Sequence, residues 1–315
     1  MEIGIALPVR EIAIKGATDA APLLKMARQV EDFGFDSLWT GDSFVARHRL
    51  EPLTLLAALA SVTEHVTVGT AALTAVLRDP ILLAHTIVTL DQCSGGRLKL
   101  AIGTGNPLPV KAEYDAVTMR YDERAARVDE MIKFFKRAWR GEDGDYTGEY
   151  HDYQALRDQS PPLQKGGPPI WLGSNGKPKA VARAGKLYDG WMPVLSTPAK
   201  YAESLKAIRD TACITNRDPD EISTSVYVTV NLSNSKQDAM AGLEDFTRRY
   251  NNLPLAPMSA YQLYFGGSAS AFTRWISDYA DAGARHIVIR VGSFDHYDRQ
   301  VRTLADEVVP AVKGA

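Results

Sequence analysis

Short apolar or β-branched runs alternate along this chain with longer stretches whose apolar residues recur at helical spacing. The runs fall at about 2–7, 36–40, 66–70, 97–102, 169–173, 188–192, 222–231 and 286–291. Helical patterns fill the intervals at about 22–33, 51–62, 80–92, 122–138, 177–185, 198–212, 236–250 and 296–312. Alternation on this scale predicts parallel strands, because a parallel neighbour is reached only by a chain that crosses back over the sheet. Asp79-Pro80 and Thr197-Pro198 each place a capping residue before a first-turn proline, which marks two helix starts independently of hydrophobicity. Eight such units predict one closed (β/α)8 barrel occupying residues 1–315. A doubly wound dinucleotide sheet would carry a glycine-rich turn after its first strand, where this chain has Pro8-Val9-Arg10.

Two connections exceed ordinary barrel loops: 103–121, with a later hairpin-like stretch GDYTGEYHDY (144–153), and 251–285. Insertions at the strand C-terminal face commonly serve as lids or substrate walls, and the second is expected to move.

Composition narrows the function more than the fold. Thirty-six basic residues against 38 acidic ones give a net charge of −2. No basic field is available for nucleic acid or an anionic membrane, so a small-molecule partner is expected. Cys93 and Cys213 have no metal-ligand spacing, which suits a reducing, cytoplasmic setting. The opening Met-Glu-Ile-Gly-Ile lacks the pattern of a signal peptide, and no apolar run reaches membrane-spanning length. Six histidines, at 48, 65, 85, 151, 286 and 296, show no ligand spacing, so no metal is expected. The surroundings of Ser268 do not form a nucleophile elbow, and a phosphate-binding GK[ST] motif is missing.

Several segments, read in order, carry a resemblance. They are GFDSLWTGDS (34–43), EPLTLLAALA (51–60), VTVGTAAL (66–73), DPILLAHTIVTLDQCSGGRLKLAIGTG (79–105), PPIWLGSNG (168–176), DGWMP (189–193) and DAGARHIVIRV (281–291). The set resembles the bacterial luciferase-like monooxygenases, a family of flavin- or F420-dependent oxidoreductases. The resemblance implies a barrel whose reduced flavin or deazaflavin sits at the C-terminal ends of the strands, where barrel enzymes place their sites.

Candidate chemistry follows the strand ends. Asp42 and Ser43 come after the second strand, where the family commonly has an acid followed by histidine. A serine hydroxyl does not titrate near neutrality as imidazole does, so His48 is the possible substitute, against a plain solvated histidine. Thr70-Ala71-Ala72 ends the third strand, and the resemblance implies a non-proline cis peptide there, under the central ring of the cofactor. The bland reading is two small residues packed on a neighbouring strand.

Gly103-Thr104-Gly105-Asn106 follows the fourth strand and permits close backbone approach with polar contacts. Related deazaflavin-dependent sugar dehydrogenases carry a glutamate at the Asn106 position; its lack, with that of the histidine, argues against that subgroup. Ser174-Asn175-Gly176-Lys177 precedes a helix and offers N–H groups to a cofactor phosphate, with a simple turn as the alternative. Trp191 and Arg290 are candidate pocket residues, against a core tryptophan and a buried ion pair. Tyr114, Tyr121, Tyr261, Tyr264 and Phe265 suggest either a partly apolar ligand or loop packing.

The leading expectation is a monooxygenase using reduced FMN, supplied by a separate flavin reductase, and oxygen on a small organic substrate. The alternative on the same barrel is an F420-dependent dehydrogenase or reductase. A reading of another class is a flavin-binding barrel without catalysis. Homodimerisation is implied by the resemblance alone.

Overall fold

The computed structural model describes residues 1–43, 48–105 and 111–314. The first half runs β1 (Glu2–Ala6), α1 (Val9–Ile14), α2 (Ala21–Asp32), β2 (Ser37–Thr40), α3 (Pro52–Ala60), β3 (Thr67–Leu73), α4 (Pro80–Cys93) and β4 (Leu98–Ile102). There follow α5 (Lys111–Ala116), α6 (Arg124–Trp139), the hairpin β5 (Gly144–Thr147) and β6 (Asp152–Leu156), β7 (Ile170–Ser174), α7 (Pro178–Leu187), β8 (Gly190–Pro193) and α8 (Pro198–Ile214). The chain ends with β9 (Ser223–Leu232), α9 (Lys236–Asn251), α10 (Leu255–Met258), β10 (Leu263–Gly267), α11 (Ala269–Asp281), β11 (His286–Val291), α12 (Tyr297–Thr303) and α13 (Val309–Lys313).

Eight strands close into a barrel in the order β1, β2, β3, β4, β7, β8, β9, β11, all parallel. Closure is made by β8 on β9, at Gly190 opposite Ser223 and Trp191 opposite Thr224. All eight lie where the hydrophobic runs placed them. The caps hold too: Asp79 Oδ1 accepts from Leu82 N at 3.0 Å, and Thr197 Oγ1 from Lys200 N at 3.4 Å.

The segment 251–285 departs from expectation. It contains α10, β10 and α11 rather than an extended mobile loop. β9 has ten residues, and only its first two, Ser223 and Thr224, pair with β8, so the far end on that side would be left open. β10 fills that gap in parallel register, Leu263 opposite Val228 through Gly267 opposite Leu232, and Leu263 N donates to Val194 O at 2.7 Å. Backbone groups that would otherwise be unpaired are thereby satisfied. A Gly-Gly pair such as Gly266-Gly267 favours a turn locally, and the demand of an uncovered strand overrides that preference. α11 did leave a sequence signal, since Ala269, Phe272, Ile276 and Tyr279 are buried at helical spacing behind the Ser268 cap.

Burial separates two main apolar zones and a small third cluster of Phe246, Tyr250 and Phe294. The larger lies between the strands and the helices, and a smaller one, with Ala6, Trp39, Ala101, Trp171, Met192, Tyr227 and Val288, fills the lumen. Trp39 and Trp171 lie 5.4 Å apart there. Space for the two indoles comes from Gly69 and Gly190, where an added side-chain carbon would collide with Trp39 and Trp171 respectively. Among the described residues no helix is long and apolar enough to cross a membrane.

Candidate active site at the barrel mouth

Alternation along a strand sends every second side chain into the lumen. On β11 these are His286, Val288 and Arg290, so the floor of the barrel receives the histidine and the mouth the arginine. On β8 the lumen residue is Met192, while Trp191 faces the helices, fully buried and 5.1 Å from the ring of Tyr201. Trp191 therefore does not line the pocket as expected. It supports the β7–α7 loop instead, donating from Nε1 to Ser174 Oγ at 3.0 Å.

At the floor polar groups lie in a chain of short contacts. Trp39 Nε1 donates to Ser37 Oγ at 2.7 Å, Ser37 meets His286 Nε2 at 2.8 Å, and His286 Nδ1 lies 2.6 Å from Glu2 Oε2. The bond to His286 brings the Glu2 carboxyl down to about 2 against the opposing effect of burial. Burial in turn pushes the imidazole below its ordinary value, against the pull of Glu2. Ser37 Oγ and the Glu2 carboxylate thus flank the imidazole at its two nitrogens.

The mouth is built differently. The Ala71–Ala72 peptide is cis. Thr70 is buried and donates from Oγ1 to Ala101 O at 2.9 Å, which ties β3 to β4 beneath that peptide. A side-chain carbon added at Gly103 would sit 3.4 Å from Ala72 Cβ, and one added at Gly173 only 3.1 Å from it. The ends of β3, β4 and β7 thus converge on a shelf bearing nothing larger than a methyl group. A flat aromatic ring system fits such a shelf, whereas any branched side chain would occupy it. Gly173 was not singled out from the sequence, because a glycine inside PPIWLGSNG reads as the approach to a turn.

Beside the shelf, Thr104 is half-buried and its carbonyl accepts from the Tyr114 hydroxyl at 3.0 Å. Gly105 is exposed with φ +79°. Asn106 lies outside the described residues. Across from them, Ser174 and Gly176 are half-buried, Asn175 and Lys177 exposed. Lys177 caps α7, with Pro178 in its first turn. The Lys177 N–H approaches Asn175 Oδ1 at 3.4 Å, a weak bond that an anion would readily replace.

The loop after β2 corrects two expectations. Asp42 has a side chain only 1% exposed, and its oxygens take bonds from Arg78 Nη1 at 2.7 Å, Arg78 Nη2 at 3.1 Å and Thr74 N at 2.9 Å. Saturated in this way, it pins the β2 loop to the β3–α4 connection rather than facing a substrate. His48 is exposed, the solvated reading of that residue.

Ser43 is buried, and its hydroxyl donates to Glu113 Oε1. Glu113, on α5 and also buried, escaped the sequence reading because nothing in KAEYDA distinguishes it from a surface helix acid. Tyr114 beside it is fully buried and meets Tyr121 edge-on at 5.2 Å, while Phe265 packs 4.9 Å from Phe272. These aromatic residues hold loops together.

The opposite rim is cationic. Arg290 is 9% exposed and donates from Nε and Nη2 to Thr229 Oγ1 at 3.1 and 2.9 Å. Its guanidinium lies 4.6 Å from the ring centre of Tyr250 and 5.5 Å from that of Phe246. Arg10 stacks on Tyr250 at 4.3 Å, and Arg49 Nη2 reaches the Tyr250 hydroxyl at 3.4 Å. Burial alone would raise the Tyr250 phenol; Arg49 and Arg290 outweigh it and lower the value. Nearby Glu11 is 5% exposed, and burial raises its carboxyl despite Arg290. Each cation–π contact contributes on the order of 0.5–2 kcal/mol, against several kcal/mol for burying an unpaired guanidinium. Among the described residues neither Arg49 nor Arg290 has a carboxylate within ion-pair distance.

Comparison with known proteins agrees with this geometry. Over 320 aligned residues the chain is 24% identical to the F420-dependent glucose-6-phosphate dehydrogenase of Amycolatopsis mediterranei (strain U-32), covering 92% of this chain and 94% of that one. A monooxygenase from Streptomyces bottropensis, RslO1, superimposes with a TM-score of 0.81 at 23% identity, over 98% of this chain and 99% of that one. An F420-dependent secondary alcohol dehydrogenase, solved with an F420–acetone adduct, gives 0.81 at 19% identity, over 99% and 98%. The luciferase-like monooxygenase description matches residues 1–307, and the chain belongs to that family of oxidoreductases.

Proposed function

We propose that this protein is a coenzyme F420-dependent oxidoreductase acting on a small organic molecule. The observation that carries the ring site is the methyl-only shelf of Ala72, Gly103 and Gly173 beside the Ala71–Ala72 peptide. The choice of deazaflavin over FMN rests on the relatives that match over nearly the whole chain, of which the Amycolatopsis enzyme is one. This ordering reverses the expectation from sequence, which put FMN and oxygen first.

Deazaflavin, when bound, accepts or donates a hydride at its central ring. The residues of this chain would then divide the remaining work. Thr70, Ala71, Ala72, Gly103, Thr104 and Gly105 hold the ring against the strand ends. Ser174, Asn175, Gly176 and Lys177 receive the phosphate at the start of α7. Ser43 and Glu113, joined by their hydrogen bond, hold a proton where the family commonly places histidine. Asp42 positions that loop through Arg78.

Anaerobic titration of the purified protein with F420 and with FMN, each oxidised and reduced, tests the proposal. F420 is expected to bind at least tenfold more tightly than FMN. Tighter FMN binding accompanied by substrate-dependent oxygen uptake would restore the monooxygenase reading. Binding of either cofactor without turnover of any alcohol, aldehyde or enone would leave a catalytically silent barrel.

A further inference from the structure

We infer that Arg49 and Arg290, with the Tyr250 hydroxyl, form a receptor for an oxyanion on the substrate, a carboxylate or a phosphate ester, at the edge of the barrel mouth. This deepens the oxidoreductase reading and rests on it for the identity of the bound molecule as substrate.

Three observations converge. Among the described residues neither Arg49 nor Arg290 has a carboxylate in ion-pair contact, although Arg290 is buried and Arg49 partly so. A guanidinium carries five N–H donors, and Arg290 directs two of its nitrogens at one oxygen, Thr229 Oγ1. Arg49 Nε is buried without a hydrogen-bond partner. Buried donors of this kind are costly unless something supplies the acceptor.

Position decides what that acceptor is. A side-chain carbon added at Gly41 would collide with Arg49 Nη1 and lie 3.5 Å from the Ala71 carbonyl oxygen. Arg49 thus reaches over the strand ends to the peptide that borders the ring shelf. Arg290 enters from β11, and Tyr250 from α9 closes the group. The start of α7, suited to a cofactor phosphate, follows β7, beyond β3 and β4 from Arg49 and across the lumen from β11. Two anion-attracting regions therefore flank the shelf from different sides, and the arginine side is left for the substrate. Forked guanidiniums select planar or tetrahedral oxyanions over neutral alcohols. Glu11, buried beside Arg290, interacts with Arg49 and Arg290 from the N-terminal side of the mouth, and burial holds its carboxyl above the ordinary value.

The test uses two probes, sodium benzoate and sodium phosphate, titrated separately into the full-length protein with and without F420. Wild type, Arg49→Gln and Arg290→Lys are compared by calorimetry, and folding is checked by thermal melting. At least one probe is expected to bind wild type in both states, and each variant to weaken it tenfold or more, with F420 affinity changed less than threefold. Benzoate binding alone identifies a carboxylate receptor; phosphate binding alone identifies a phosphate ester.

No binding of either probe, or equal binding by both variants and wild type, overturns the receptor. Parallel loss of F420 and probe also overturns it, since the arginines would then serve the cofactor. Variant-sensitive probe binding by a protein that ignores F420 upholds the receptor while sinking the F420 reading. Should Arg290→Lys fail to fold, Arg49→Gln, on a half-exposed loop residue, carries the comparison alone.

Discussion

The two ends of this lumen hold polar groups of similar number under opposite rules. At the floor, Trp39, Ser37, His286 and Glu2 form a chain of close polar contacts. At the mouth, Arg10, Arg49 and Arg290 gather around one tyrosine beside the buried Glu11. Close polar contacts in low dielectric fix structure, whereas a buried donor without an acceptor, as at Arg49 Nε, is open to a partner. On the receptor inference, the floor serves stability and the mouth binding.

Four perturbations break or sharpen this contrast. The largest effect is expected at the floor, where Trp39→Ala removes a fully buried indole and should cost about 3–5 kcal/mol in urea unfolding. A loss below 1 kcal/mol would mean that the floor is not packed as described.

Next comes the shelf. Gly173→Val places a branched side chain against Ala72 and should weaken cofactor binding about 100-fold, roughly 2.7 kcal/mol. Unchanged binding in fluorescence titration would move the ring elsewhere.

Third, Arg290→Met at the mouth replaces a buried cation with an apolar chain of similar length. Stability should stay level or rise by about 1–2 kcal/mol, the opposite sign to the floor variant. A clear drop in melting temperature would reclassify Arg290 as structural.

The smallest effect concerns pH. The Glu2 carboxyl titrates near 2 in the folded protein against an ordinary 4.5, so its contribution is complete above about 4.5 and fades as pH falls toward 2. The buried, neutral His286 adds to the same trend, its contribution being lost below 6.5 as acid forces the imidazole to charge. Glu2→Gln should therefore flatten the acid side of a plot of melting temperature against pH. Identical slopes for variant and wild type between pH 3 and 6 would detach the floor chain from stability.

Much of the fold was legible. The strand positions, the parallel order and the proline-capped helices follow from local patterning, which acts over a few residues and needs no knowledge of neighbours. The site was legible only where backbone features carry it, at Ala71–Ala72, Gly103 and the loop after β7. Of its charged members Arg290 and Lys177 stood out, while Arg49, Tyr250 and Glu113 did not. Arg49 sits in a loop that reads as solvated, Tyr250 ends a surface helix, and Glu113 belongs to a segment without a helical pattern long enough to recognise.

By itself, the sequence determined that eight runs become strands and that crossover helices make them parallel, since hydrophobic period and chain connectivity leave few alternatives. Only the tertiary structure decided which residues face the lumen. Barrel strands are buried on both sides and lack the polar alternation that would reveal their orientation, so Met192 turns inward and Trp191 outward without a local signal. The same closure created a need for β10 and brought Arg49, Tyr250 and Arg290 together across more than 240 residues, because long-range contacts have no counterpart in neighbouring sequence.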